Sequence, residues 1–249
     1  GLTWQADEQW FWQAAAYQAF RLPTLNELYR PFRVGSVITE ANPDLETEQL
    51  NGIEIGTTWR TERASLRITG FINEVEDAVA NVTLGFGPGF VPGVGFVPNG
   101  GVGRQRQNLE RINIEGLELA AHWNPSETVT LRADYLYTDA NNPATGLTLP
   151  QVSRHTLIGG IDWAIAPAWQ LTAQFRHVSD AYEDDGNTLV LGAATTFDLR
   201  VAWKLNPSGE IFVAIENVTD EAVVVGRTVS GLLDLGTPRF GRAGFRWYW

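Results

Sequence analysis

The sequence has no cysteine and no methionine. Without cysteine there is no disulfide framework, no zinc ribbon and no thiol chemistry. Without methionine there is no initiator, so the chain reads as a processed product or a cut piece of a longer polypeptide. It also lacks any apolar run near the roughly 18–20 residues that a spanning helix needs. Positive charge is scarce: 18 Lys and Arg stand against 29 Asp and Glu, a formal net charge of −11. That balance argues against nucleic acid, whose binding requires clustered cations.

What is present is glycine (25), tryptophan (10) and a period of two. From Phe240 to the end, Arg242, Gly244, Arg246 and Tyr248 fall on one side, and Gly241, Ala243, Phe245, Trp247 and Trp249 on the other. This is a β-strand with one cationic and one apolar face. Three aromatics at a chain end fit a bilayer interface, where amphipathic rings sit at headgroup level, better than frayed solvent exposure. The same alternation recurs in 10–21, 49–59, 64–73, 109–123, 129–137, 154–163, 169–176, 196–204 and 211–217. A slip of apolar phase between Ile114 and Leu117 predicts a bulge at Glu115-Gly116.

Connections alternate in length. Those at 60–63, 124–127, 165–168 and 206–209 are tight, while 22–46, 79–108, 140–152, 180–191 and 219–237 are long. Tryptophans flank the tight side: Trp10, Trp12, Trp59, Trp123, Trp163, Trp169, Trp203, Trp247 and Trp249, with Trp4 beside the first turn. Tyr17, Tyr135, Tyr137 and Tyr182 lie toward the long loops as a second belt. A soluble β-sandwich has no reason to gather its indoles at one end of every hairpin. The pattern predicts an all-β fold, an antiparallel transmembrane β-barrel of about ten strands with short periplasmic turns and long extracellular loops. Residues 1–249 form one domain, with 1–9 a strand stub and turn and 10–249 the barrel strands. Counted from Trp10, the first and last strands are antiparallel and can pair. The chain therefore either closes on itself or relies on strands outside it, because an open edge in lipid strands its amides.

Residues with catalytic or metal-binding chemistry do not assemble by spacing. His122, His155 and His177 share no ligand pattern, and Gly85, Gly87 and Gly89 lack the lysine of a phosphate loop. Glu183-Asp184-Asp185-Gly186-Asn187 reads as a solvated hairpin tip rather than a Ca²⁺ loop. Glu74, Glu76, Asp77 and His177 are the residues a rim protease would use, but nothing pairs them. No enzyme activity, cofactor or metal is expected.

Binding is better supported. Segment 79–108 has no acidic residue and carries Phe86, Phe90, Phe96, Arg104 and Arg106. Segment 22–46 adds Tyr29, Arg30 and Arg33, with Arg21 just below. Arginines and aromatics converging at a barrel mouth would suit an anionic chelate; the alternative is a loop whose arginines meet lipopolysaccharide phosphates or water. Inside, Arg67, Arg132, Arg176, Arg200, Lys204, Arg242 and Arg246 are expected to face Glu54, Glu118, Asp134, Asp162 and Asp198, nearly filling a ten-strand lumen.

Several stretches resemble the TonB-dependent outer-membrane receptors: Phe20-Arg21-Leu22-Pro23-Thr24-Leu25-Asn26-Glu27-Leu28-Tyr29-Arg30, Asn42-Pro43-Asp44-Leu45 with Glu48, Gly116-Leu117-Glu118-Leu119, Glu216-Asn217-Val218-Thr219-Asp220 and Gly236-Thr237-Pro238-Arg239. Their order matches the C-terminal part of that family's 22-stranded barrel. The resemblance implies an outer-membrane location and a parent receptor for a ferric siderophore or similar nutrient. Its partners would be outer-membrane lipid, lipopolysaccharide and, through the C-terminal strand, the barrel-insertion machinery. The family's plug and TonB box have no counterpart in this sequence, so neither TonB contact nor transport by this chain alone is expected. A cut-down, self-closing barrel with little or no pore activity is the other reading.

Overall fold

The computed structural model describes residues 1–247; the aromatic positions at 248 and 249 lie outside the described residues. Eleven strands form one continuous path: β1 (Leu2–Gln5), β2 (Trp10–Arg21), β3 (Glu48–Arg60), β4 (Ala64–Phe86), β5 (Val102–Ser126), β6 (Val129–Asn142), β7 (His155–Ala166), β8 (Trp169–Val178), β9 (Ala194–Asn206), β10 (Gly209–Glu216) and β11 (Phe240–Trp247). Each pairs antiparallel with its neighbour in sequence order. The tight turns are held locally. Thr61 Oγ1 accepts from the Ala64 amide at 3.0 Å, and Asn206 Oδ1 accepts from the Ser208 amide at 2.9 Å. Register shifts fall beside three of these turns, between 129 and 131, 164 and 166, and 204 and 206.

The registers assign the faces. Ile53 pairs with Ile72, Ile68 with Leu119, Leu131 with Ile161, Ala173 with Leu199 and Val201 with Val213. These residues share one face, and they are open to the surroundings: Ile53 is 65% exposed and Ile72 64%. The opposite face carries Thr69, Asn73, Arg132, Asp162, Arg200 and Glu210, in the same registers. A soluble sheet buries its aliphatic face, and leaving one this size bare marks a surface made for lipid.

Three expectations are corrected. First, the strands do not bulge at Glu115-Gly116: Ile72↔Glu115, Phe71↔Gly116 and Gly70↔Leu117 continue without a break. The polarity of the faces changes instead. With 23 and 25 residues, β4 and β5 run far beyond the roughly 9–11 residues that cross a bilayer. Above that band the outer face becomes polar at Glu115, Asn113 and Arg111, and the inner face takes Ile112, which is buried. Second, Tyr17 does not join an outer belt. Its ring covers Gly52 on the inner face, where a Cβ would lie 2.2 Å from the ring, and its hydroxyl donates to Asn73 Oδ1 at 2.8 Å.

Third, the ring formed by pairing Trp10–Arg21 with the last strand is not made. β1 occupies that edge of β2, with Trp4 opposite Trp12, so the path begins at β1 and ends at β11, and no pairing joins the two among the described residues. Inner-face charges pair, but largely with different partners. Arg132 meets Asp162; Arg200 and Arg246 both meet Glu210, and Arg242 meets Glu216 at 2.9 Å. Glu210 is held where the Arg200 and Arg246 guanidinium groups lie 4.8 and 5.8 Å from the Phe212 ring.

Candidate functional site

The long loops do not stand apart in solvent. Above the membrane band they interlock. The first begins with α1 (Leu25–Tyr29), capped by Thr24, whose Oγ1 accepts from the Glu27 amide at 3.3 Å while the Glu27 carboxylate takes the Thr24 amide at 2.7 Å. Burial alone would raise the Glu27 carboxyl; the hydrogen bonds from Thr24 and Arg21 outweigh it and hold it below the usual carboxylate range. Next, Val37–Glu40 lies parallel to Val102–Gln105 on β5. The loop's return is fixed by Asn42 Nδ2 donating to Arg106 O at 3.0 Å and by the Glu46 amide donating to Asn108 Oδ1 at 2.8 Å.

The acidic cluster after β8 is a docked tip rather than a solvated one. The Asp184 carboxylate accepts from the Thr188 amide (2.9 Å), the Leu189 amide (2.7 Å) and Thr188 Oγ1 (2.7 Å). Burial would raise its carboxyl, but those three donors hold it below the usual range. Asp185 reaches β4, accepting from the Thr83 amide at 2.8 Å and Thr83 Oγ1 at 2.6 Å. Asn187 exchanges two hydrogen bonds with the Thr148 backbone, both 2.8 Å. The last loop joins through Arg227 Nη1 to Val190 O at 3.4 Å, and its tip meets the β4–β5 hairpin, where a Cβ on Gly100 would lie 3.3 Å from that of Ser230. Among the described residues no three His, Asp or Glu side chains gather as a metal site.

The structure separates the arginines that the sequence groups together. Arg21 is clamped by Glu48 and by Glu27 at 3.0 Å. Arg106 is buried; its Nη1 donates to the carbonyls of Asn26 (2.9 Å) and Arg30 (3.2 Å), ending α1, and its guanidinium lies 4.9 Å from the Phe32 ring. Arg33 folds back on Gly35 O at 2.8 Å. Arg30 and Tyr29 are exposed on the surface. Phe90 and Phe96 pair across the short hairpin Gly89–Val91/Gly95–Val97, 77% and 69% exposed, while Val91 and Val97 on its other side are buried. Phe86, also exposed, is the last residue of β4.

Arg104 is different from the rest. It lines a cleft of about 480 Å³ between the β4–β5 hairpin and the two loops at 142–151 and 183–185. Its Nε is shielded from solvent and makes no hydrogen bond.

Of the tryptophans, Trp10, Trp12, Trp59, Trp123, Trp163, Trp169, Trp203 and Trp247 all stand on the aliphatic face beside the short turns or chain ends, and Trp169 stacks on Trp203 at 5.9 Å. At the other margin of that face, Tyr135 and Tyr137 pack on His155, with the Tyr135 hydroxyl 2.8 Å from His155 Nδ1. That trio escapes sequence reasoning because cross-strand register, not spacing, assembles it.

Comparison with known proteins follows the same lines. Residues 1–218 match the family model described as TonB dependent receptor-like, beta-barrel. Over 226 residues the chain is 21% identical to the vitamin B12 transporter BtuB of Vibrio vulnificus (strain YJ016), covering 91% of this chain and 33% of that protein. It is similar in fold to the copper transporter OprC, with a TM-score of 0.78 at 17% identity over 98% of this chain and 38% of that one. A mutant of the ferric enterobactin receptor of Pseudomonas aeruginosa (PfeA) in complex with enterobactin gives 0.75 at 16%, covering 98% and 39%. The chain thus spans about a third of the curated relative's length and under two fifths of the OprC chain. The eleven-strand wall, its lipid-facing side and its interlocked outer loops are those of an outer-membrane barrel, and the chain belongs to the TonB-dependent receptor β-barrel family.

Proposed function

We propose that this chain supplies barrel wall and extracellular recognition surface to an outer-membrane receptor for a metal chelate, a ferric siderophore or a similar nutrient. It catalyses no reaction and does not transport by itself. The observation that carries this reading is the fusion of four long loops into one roof, through Thr83–Asp185, Asn187–Thr148 and Gly100–Ser230, above a sheet with one lipid-facing side. A structural barrel needs no such roof; a receptor needs a fixed surface on which ligand lands. The edge of β2 taken by β1 favours a receptor wall over a self-closing ten-strand ring. In the same reading, the tryptophan row lies at the periplasmic interface and the Tyr135–His155–Tyr137 cluster at the lipopolysaccharide headgroups. The C-terminal strand addresses the chain to the barrel-insertion machinery.

The contact surface includes Phe86, Phe90, Phe96, Tyr29 and Arg30, with Arg104 in its cleft. Arg21, Arg33 and Arg106 hold the loops in shape. The test is uptake of radiolabelled ferric chelates by cells that depend on the full-length protein. The reading expects saturable uptake that falls at least severalfold in Phe90→Ala/Phe96→Ala at equal surface abundance. Uptake of no metal chelate by a correctly inserted protein would contradict it.

A further inference from the structure

The Arg104 cleft carries charges that its own walls leave unmatched. A guanidinium has five donors and no acceptor, so a shielded Nε without a partner is costly unless something else completes it. Arg104 makes no side-chain hydrogen bond or ion pair with any described residue. Two carboxylates line the same cleft, Glu183 and Asp185. Glu183 accepts only from Gln151 Nε2 at 3.1 Å, and Asp185 is used by Thr83; neither meets a cation at ion-pair distance. The cleft therefore holds both signs of charge, a cation on β5 and two carboxylates on the loop after β8, with Asp185 bonded to Thr83, the cross-strand partner of Arg104. The aliphatic Val79, Val82, Leu147 and Leu149 line the same cleft. Its volume of about 480 Å³ is within the range of small-molecule sites.

We propose that this cleft binds a zwitterionic ligand of amino-acid or short-peptide character, with its carboxylate on Arg104 and its ammonium directed at Glu183 and Asp185. Planar carboxylate recognition is the natural use of a guanidinium fork. An ammonium answers two carboxylates whose hydrogen-bond donors are all neutral groups. An apolar body suits the aliphatic wall. The inference deepens the receptor reading, on which it rests only in placing the cleft at the outer face.

The test is calorimetric titration of the full-length protein in lipid nanodiscs with L-leucyl-L-leucine, its N-acetyl derivative and its C-terminal amide. The dipeptide is expected to bind saturably, and each blocked form roughly tenfold or more weakly, the loss of one charged hydrogen-bonded contact. Arg104→Gln should weaken the dipeptide to the level of its amide while still discriminating against the acetyl form. Glu183→Gln, which can still accept from Gln151, should do the converse. Hydrogen exchange over 79–108 and 180–191 shows that each variant keeps its loops. Equal binding of all three compounds, or no binding by a protein whose loops remain protected, would overturn the proposal. Chelate uptake separates the two readings: uptake without dipeptide binding removes this site and leaves the receptor, and dipeptide binding without any uptake does the reverse.

Discussion

A few side chains decide how the outer surface is held, and Asp184 is chief among them. Two backbone amides and one hydroxyl converge on its carboxylate. Asp184→Ala leaves the Thr188 and Leu189 amides without acceptors, which should weaken the local fold by about 1–3 kcal/mol. The expected readout is faster hydrogen exchange at 183–189 with the strands unchanged. Because the folded carboxyl is held below its unfolded value, its stabilisation is complete above the ordinary carboxylate range and is lost as pH falls through the depressed folded value. The loop should stay protected in mildly acidic buffer and open only at lower pH; opening on the alkaline side instead would contradict the assignment. Arg106 acts similarly on α1. Arg106→Ala should raise exchange over 25–34 while leaving β5 intact, and Arg106→Lys should restore part of the protection, since one ammonium can still reach a carbonyl. These roles were not legible in the sequence. Arg106 and its acceptor Asn26 are 80 positions apart, and composition groups Arg21, Arg30, Arg33, Arg104 and Arg106 as one anion clamp when three of the five are spent on structure. The tryptophans were legible, because the two-residue period of a strand and its nearness to a tight turn fix both face and height.

The strands carry their own tests. Gly159 on β7 sits beneath the Phe175 ring of β8, and a Cβ there would lie 2.2 Å from it. Gly159→Val should destabilise the folded protein by about 1–3 kcal/mol in urea, and adding Phe175→Ala should recover part of that loss. No recovery would mean that the ring is not what the glycine accommodates. Faces can be tested in the same assay. Ile68→Arg on the outer side, in the middle of the membrane band, should cost about 2–4 kcal/mol, whereas Ser65→Arg on the inner side should cost far less. Alternation made ten of the eleven path strands visible in sequence, and the eleventh was foreseen as a stub. What alternation cannot show is where the solvent changes. At Ile114–Leu117 a change of surroundings imitates a bulge, because the apolar residues move from the lipid-facing side to the inward one as β5 leaves the membrane. Loop contacts such as Thr83–Asp185, 102 positions apart, leave no period to read.

In the molecule as a whole, the face that bears Ile53, Ile72, Leu199 and Val213 has lipid as its solvent, and the face that bears Thr69, Asn73 and Arg200 does not. The sequence made this legible through its tight turns and its indoles, but left open whether the first long strand meets the last, and β1 occupies that edge of β2. The absence of cysteine permits a direct test, since single cysteines can be introduced one at a time from 65 to 76 in β4 without competing thiols. Spin labels at these positions in lipid nanodiscs report collision with oxygen, which concentrates in lipid, and with a water-soluble nickel chelate. Labels at 66, 68, 70 and 72 should favour oxygen, labels at 67, 69, 71 and 73 should not, and the oxygen preference should disappear at 74 and 76 where the strand emerges. Uniform access along β4, or oxygen preference at 67, 69 and 71 instead, would contradict the assignment of faces.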